Sequence, residues 1–366
     1  MSADTHTTWQ AYVAAELATL QPILAQRGYT LTADQPHTKG ERFLMQNITT
    51  TSGVKLILFG NSSDGQSVVI KASRDFTGTQ ELRHEQKCRD LLQQIDFSYS
   101  NFDAPRELDY WSAAGYTIAV QEYIEQTSSF LERPIKQQFT FALQALKTQE
   151  SARITTNSHL RKVAPVFGIR TSADYLRLIG AFVISLQNNQ ADPLVIKTVQ
   201  QIAKRLGSHQ KRIQQYCGFL THTDFVPHNF RIASDTMYLL DWSSLEFGNK
   251  HESWARFLNF MTLYNPALET LLIEYVEHNR APEERESLQL MRLYRLCELI
   301  TYYSNTLHKS EGDLLQLNVA RVRFWHDVLL AEINNERISR TLVSEYKNLR
   351  DQLRSQSEME RQVNLH

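Results

Sequence analysis

Cysteine is scarce in this sequence, with only Cys88, Cys217 and Cys297 in 366 residues. They stand far apart and without metal-ligand spacing, which argues against a disulfide framework and against a cysteine metal site. Each falls in an apolar or helical context, so buried thiols and a reducing, cytoplasmic compartment are expected. An excess of charge is also missing. Lys plus Arg number 39 and Asp plus Glu 40, a net charge of −1, so no attraction to nucleic acid or to a membrane surface is expected. The longest apolar stretch, Tyr175 to Leu186, is interrupted by Arg177 and is too short to span a bilayer. Residues Met1 to His6 lack a basic segment followed by an apolar one, so no signal peptide is expected. There is no repeat, no low-complexity tract and no Walker A pattern. What is present is an ordinary globular composition, 42% hydrophobic and 22% charged, in a chain long enough for about two lobes.

The pattern of apolar residues changes along the chain. Residues 8 to 27 have helical spacing (Trp9, Tyr12, Val13, Leu17, Leu20, Ile23) and stop at Gly28. Strands are expected at Arg42 to Ile48, Lys55 to Phe59, Ser67 to Ala72 and Tyr116 to Tyr123, with turns at 49–53 and 61–65. A helix is expected from Thr79 to Gln94. After about Ser128 the pattern is helical, with helices over 135–148, 172–188, 193–216, 253–264, 266–277, 283–304 and 312–334. The stretch 150–168 has no clear period and reads as an insertion or mobile loop. The charged tail carries a stripe, Ile338, Leu342, Tyr346, Leu349 and Leu353, too short for a sustained coiled coil and suited to packing on its own domain.

The most informative run is Thr221-His222-Thr223-Asp224-Phe225-Val226-Pro227-His228-Asn229-Phe230-Arg231-Ile232, followed by Met237-Tyr238-Leu239-Leu240-Asp241-Trp242. Two acids and an amide, separated by strand-like residues, are the set that phosphoryl transfer uses. One carboxylate orients and deprotonates the accepting hydroxyl, and an amide with a second carboxylate holds magnesium on the triphosphate. The run resembles the catalytic loop and metal-binding segment of the aminoglycoside phosphotransferase and choline kinase superfamily. That resemblance implies an α+β, bilobal, protein-kinase-like fold. Its parts would be an N-terminal helical extension (1–36), a mixed nucleotide-binding lobe (37–125), a helical catalytic and substrate lobe (126–334) and a charged C-terminal helix (335–366).

The resemblance implies roles residue by residue. Asp224 would be the catalytic base and His222 its structural support; Asn229 and Asp241 would hold Mg²⁺. Lys71, ending Val68-Val69-Ile70-Lys71-Ala72, matches the strand lysine that contacts phosphate. Its partner on the next helix would be Glu85, with Glu81 as competitor. Backbone groups of Glu122 and Ile124 would meet the base of ATP, with GTP not excluded. The phosphate-covering turn would be Asn47 to Gly53. The acceptor would be the hydroxyl of a small molecule, with neither nucleic acid nor membrane as partner, in a monomer or homodimer. Phe225-Val226-Pro227 lacks the lysine usual in protein kinases, and Asp241-Trp242-Ser243 replaces their Asp-Phe-Gly. A protein kinase and a nucleotide-binding regulator without turnover are the alternatives. Ser253 stands where the family usually has an acid, with Glu252 one place earlier, and His228 where it more often has Gly. Glu269, Glu274, Glu277, Glu283, Glu284 and Glu286 are candidates to line a pocket for a cationic substrate, with Arg280 and Arg285 among them.

Overall fold

Residues 9–33, 35, 55–94 and 103–354 are described by the structure, a computed structural model. The first helix, α1 (Trp9–Ala25), is followed by Gly28 at φ +79°, the left-handed conformation in which a helix ends. Five strands follow: β1 (Tyr29–Leu31), β2 (Leu56–Ser62), β3 (Ser67–Ser73), β4 (Glu107–Ala113) and β5 (Tyr116–Glu122). They form one antiparallel sheet in the order β1-β2-β3-β5-β4. Alternation decides what each face carries. Leu58, Val68, Ile70, Ile118 and Val120 point to one side and share a core with Val13, Leu20 and Leu24 of α1. Lys71 falls between Ile70 and Ala72, so it points to the other side, where α2 (Phe76–Gln94) presents Glu85, Cys88 and Leu92 from one buried face. The strand and turn expected over 42–53 lie outside the described residues.

The second lobe is helical. Its helices are α3 (Ile135–Ser151), α4 (Asn157–Val163), α5 (Ser172–Asn188), α6 (Pro193–Ser208), α7 (Gln210–Gln215), α8 (Glu252–Tyr264), α9 (Pro266–Asn279), α10 (Pro282–Thr306), α11 (Gly312–Ile333) and α12 (Arg340–Leu353). Helix α10 is buried nearly all round from Leu288 to Ile300, Arg292 and Arg295 included, because α5, α8 and α11 pack on it. Between α7 and α8 run four short strands, β6 (Phe219–His222), β7 (Phe230–Ala233), β8 (Thr236–Leu239) and β9 (Leu245–Gly248), paired β6 with β9 and β7 with β8. These strands carry the informative run.

Three expectations change. The stretch 150–168 is not a loose insertion. It forms α4, capped where the Thr156 side chain accepts from the His159 N–H, and buries Ala152, Val163 and Phe167 with Leu220, Trp242 and Phe247. Single apolar residues buried from irregular backbone leave no period to read. The helix expected over 193–216 breaks at His209 into α6 and α7. Strands β1 and β4 were not foreseen. The tail stripe packs on its own domain through Tyr346, which stacks on Phe324 of α11 at 4.3 Å with Val343 buried nearby, whereas Leu349 of the expected stripe is exposed.

Candidate active site

Strand β6 delivers His222 into the interior. Burial holds its imidazole below the usual range, hence neutral at physiological pH. Its Nε2 lies 3.1 Å from the carbonyls of both Leu240 and Asp241, which only an N–H can serve, so Nε2 carries the proton. The histidine thereby ties the loop that leads to Asp224 to the segment that carries Asp241. Past His222 the chain turns and exposes Asp224. Asn229 Nδ2 donates to the Asp224 carbonyl (2.8 Å) and to Asp224 Oδ2 (3.1 Å), while Arg256 of α8 donates to Oδ1 from Nη2 (2.8 Å) and Nε (3.1 Å). Burial would raise the Asp224 carboxyl, but the Arg256 guanidinium outweighs it and holds the group below the usual carboxylate range. The side chain remains 43% exposed, open to a partner.

Asp241 is brought beside this loop because the Leu240 N–H donates to the Asn229 carbonyl at 2.8 Å. Its backbone is left-handed (φ 54°, ψ 57°), a conformation that most residues with a Cβ avoid and Asp tolerates better than most. The hydroxyls of Ser243 and Ser244 donate to its two carboxylate oxygens at 2.7 and 3.1 Å. Lys55, at the start of β2, places Nζ 3.5 Å from Asp241 Oδ1 and 3.3 Å from Glu81 Oε2. Burial opposes ionisation of Asp241, yet Lys55 and then Lys71 hold it down at about 2.

Lys71 and Glu85 form a buried pair, with Nζ 2.7 and 2.8 Å from the two carboxylate oxygens. Arg89, one turn on, also reaches Glu85 at 3.2 Å, so that pair is interior rather than superficial. Against burial, Lys71 and Arg89 hold the Glu85 carboxyl at about 2. Glu81, the competitor, belongs to Lys55 instead. At the end of β5 the Glu122 N–H donates to the Arg106 carbonyl, so it is not a donor for a base; the Ile124 N–H has no partner among the described residues. The expected phosphate-covering turn at 47–53 lies outside the described residues.

Two departures from the motif have physical explanations. His228 is neither solvated nor turned to the nucleotide side. Its ring lies edge-on to Phe260 (5.1 Å) and Tyr264 (6.5 Å), and burial lowers it to about 4. Ser253, where an acid is usual, accepts the His222 N–H at 2.8 Å and lies 2.7 Å from the Thr221 hydroxyl. The acid one place earlier, Glu252, is fully buried; it takes Arg170 at 2.9 Å and Arg295 at 3.3 Å, and Arg295 in turn donates to the carbonyl of Thr223 beside Asp224. Sequence reasoning missed Lys55, Arg256 and Arg295. Lys55 precedes a strand, where lysines are common, and the two arginines lie on helices far along the chain, so spacing gave no signal.

Comparisons with known proteins bear on the fold. Neither the protein-family models nor the curated proteins give a significant match. Solved structures do. A thermostable mutant of aminoglycoside phosphotransferase APH(4)-Ia, in ternary complex with AMP-PNP and hygromycin B, is similar at TM-score 0.59 and 14% identity, over 86% of this chain and 98% of that one. Wild-type aminoglycoside 2'-phosphotransferase-IIIa, in complex with GDP, gives TM-score 0.57 at 11% identity over 89% and 99%. The macrolide 2'-phosphotransferase MphH from Brachybacterium faecium gives TM-score 0.52 at 14% identity over 84% and 98%. With a small antiparallel lobe, a large helical lobe and this likeness, the chain has the bilobal, kinase-like fold of the aminoglycoside and macrolide phosphotransferases.

Proposed function

We propose that the protein is an ATP-dependent phosphotransferase that moves the γ-phosphate to a hydroxyl of a small molecule. The observation that carries this reading is the convergence of Asp224, Asn229 and Asp241 opposite the buried Lys71–Glu85 pair. Structural relatives in complex with AMP-PNP or GDP support nucleotide use and leave the choice between ATP and GTP open. Asp224, ionised and partly exposed, accepts the proton of the attacking hydroxyl. Arg256 holds its carboxylate in place, and Asn229 fixes the other oxygen. Lys71, steered by Glu85, reaches the phosphates.

The donor set suits magnesium. Asn229 spends its amide nitrogen on Asp224, so its amide oxygen is the atom it would offer a metal, alongside the low-pKa carboxylate of Asp241. An amide and one carboxylate suit an ion that takes one or two protein oxygens and the rest from phosphate and water. Lys55 already sets a positive charge against Asp241. When bound, the ion would screen the charge of the phosphate oxygens, with Asn229 and Asp241 as its protein ligands.

Transfer of γ-labelled phosphate from Mg-ATP into a metabolite extract tests the reading. Label entering a small molecule with the wild type, and reduced by about 10²–10⁴ in Asp224→Ala with Mg-ATP binding kept, is the expected result. Equal transfer by both proteins would remove Asp224 from the role.

A further inference from the structure

The Asp224 carboxylate is held by Arg256 and Asn229, but its direction also depends on the backbone that carries it. Two planar peptide groups flank the Asp224 Cα, and only the rotations between them are soft. The group that follows is fixed by Asn229, whose Nδ2 donates to the Asp224 carbonyl at 2.8 Å. The group that precedes presents the Thr223 carbonyl, which accepts from Arg295 Nη2 at 2.5 Å. One bond further back, the Thr223 N–H and hydroxyl both donate to the Ser244 carbonyl, at 2.8 and 3.1 Å.

What aims Arg295 lies behind it. The residue comes from α10, 72 positions along the chain from Thr223. Its Nη1 lies 3.3 Å from Glu252 Oε1 and 2.8 Å from Glu298 Oε2. Glu252 is fully buried and is itself fixed by the Tyr175 hydroxyl at 2.5 Å and by Arg170 at 2.9 Å. Once Nη1 is committed to the two acids, the planar fork decides where Nη2 points, and it points at Thr223. A lysine has one compact ammonium and could not serve both ends.

One turn earlier on α10, Arg292 offers an internal comparison. Its side chain is 7% exposed against 8% for Arg295, and it too meets two carboxylates, Glu269 at 2.6 Å and Glu332 at 3.0 Å. Its other contacts end on α8, at Asn259 Oδ1 and Thr262 Oγ1. It borders a cavity of about 480 Å³ between α9, α10, α11 and α12, where Glu269, Glu277 and Glu286 of the glutamates expected around a cation are found. None of Asp224, Asn229 and Asp241 borders that cavity. Arg292 therefore joins helix to helix, whereas Arg295 joins a helix to the loop of Asp224.

We infer that Arg295 is a positioning residue for Asp224: aimed by Glu252 and Glu298, it fixes the Thr223–Asp224 peptide and, through it, the direction of the carboxylate. Its effect on rate rests on the phosphotransferase reading, and its effect on the loop does not.

The test compares Arg295→Lys with Arg292→Lys in the full chain. Both keep the charge and give up the fork, so denaturant unfolding should show similar losses of stability. Hydrogen exchange over residues 222–229 should lose protection in Arg295→Lys alone. Transfer of γ-label from Mg-ATP to a metabolite extract, and to water, should turn over about 10²-fold more slowly in Arg295→Lys, the cost of a misplacement of about 1 Å. The KM for ATP and the affinity for AMP-PNP should stay unchanged, and Arg292→Lys should keep wild-type turnover. In an Asp224→Ala background Arg295→Lys should cost nothing further, because a residue that acts through another is silent once that other is gone. An active wild type matched by Arg295→Lys, equal protection of 222–229 in the two lysine variants, or a loss of the same size with and without Asp224 would overturn the inference. Loss of protection in Arg295→Lys, with a wild type that labels neither a small molecule nor water, would remove the phosphotransferase reading and leave Arg295 holding the loop.

Discussion

The two sides of Asp224 are built on different plans. On the nucleotide side, carboxylates are matched to lysines of the sheet: Glu85 with Lys71, and Asp241 and Glu81 with Lys55. On the other side, Arg256 of α8 is matched to Asp224 and Arg350 of α12 to Asp351, beside the stacked rings of Phe260 and Tyr264. Lys71 and Glu85 of the first are placed by one strand and the helix that follows it, while Arg256 and Arg350 of the second lie on α8 and α12. The first side is therefore readable from spacing, and the second only from three-dimensional neighbours.

Substitutions on each side should separate these plans. The largest effect is expected at Asp241: Asp241→Ala should remove transfer and the magnesium dependence of nucleotide binding together, read by titrating Mg²⁺ against a fluorescent nucleotide. If nucleotide binding keeps its metal dependence, Asn229 holds the ion without it.

Glu85→Gln comes next and acts on stability as well. It leaves Lys71 and Arg89 facing a neutral partner in the interior, at a cost of about 3–5 kcal/mol, measured by denaturant unfolding. The same group gives a pH signature. Its folded pKa of about 2 lies below its ordinary 4.5, so its contribution is complete above about pH 4.5 and is lost as pH falls toward 2. The mutant should lack that acid-side slope.

Arg256→Ala should act on the reaction more than on the fold. Without the guanidinium, burial is left to raise the Asp224 carboxyl, so the acid limb of the kcat/KM profile should move to higher pH, while the KM for ATP stays put. An unmoved limb would mean that Asp224 is not the group titrating. The smallest effect is expected at Lys55. Lys55→Ala removes a cation competing for Asp241, so Mg²⁺ should bind the nucleotide-free protein more tightly, by about tenfold; weaker binding would break the comparison between the lysine and the ion.

How far the sequence reached follows the same division. The catalytic run announced itself because Asp224, Asn229 and Asp241 need a tight turn and a short hairpin, which confine them to a few positions. Lys71 and Glu85 could be paired because strand alternation and helical spacing each choose one face. Helices α5, α9 and α11 were legible from their apolar period, α5 and α9 also from a Thr cap and a Pro in the first turn. The stretch 150–168 was not, because its buried residues hang from irregular backbone. Nor was the exchange of roles between Ser253 and Glu252, since a hydroxyl that accepts the His222 N–H and a carboxylate that acts through Arg295 do the work of one acid only once both are folded.

Helix α12 has a consequence for the order in which the protein becomes competent. It is held by Val343 and Tyr346 against α11, and it brings Arg350 over the Tyr264 ring. A nascent chain emerging from the ribosome has made every nucleotide-side residue, and the base, well before α12 exists. Such an intermediate would hold the Asp224 cluster and the Lys71–Glu85 pair with one flank of α11 still uncovered. Docking of one late amphipathic helix then buries Tyr346 on Phe324 and closes that flank.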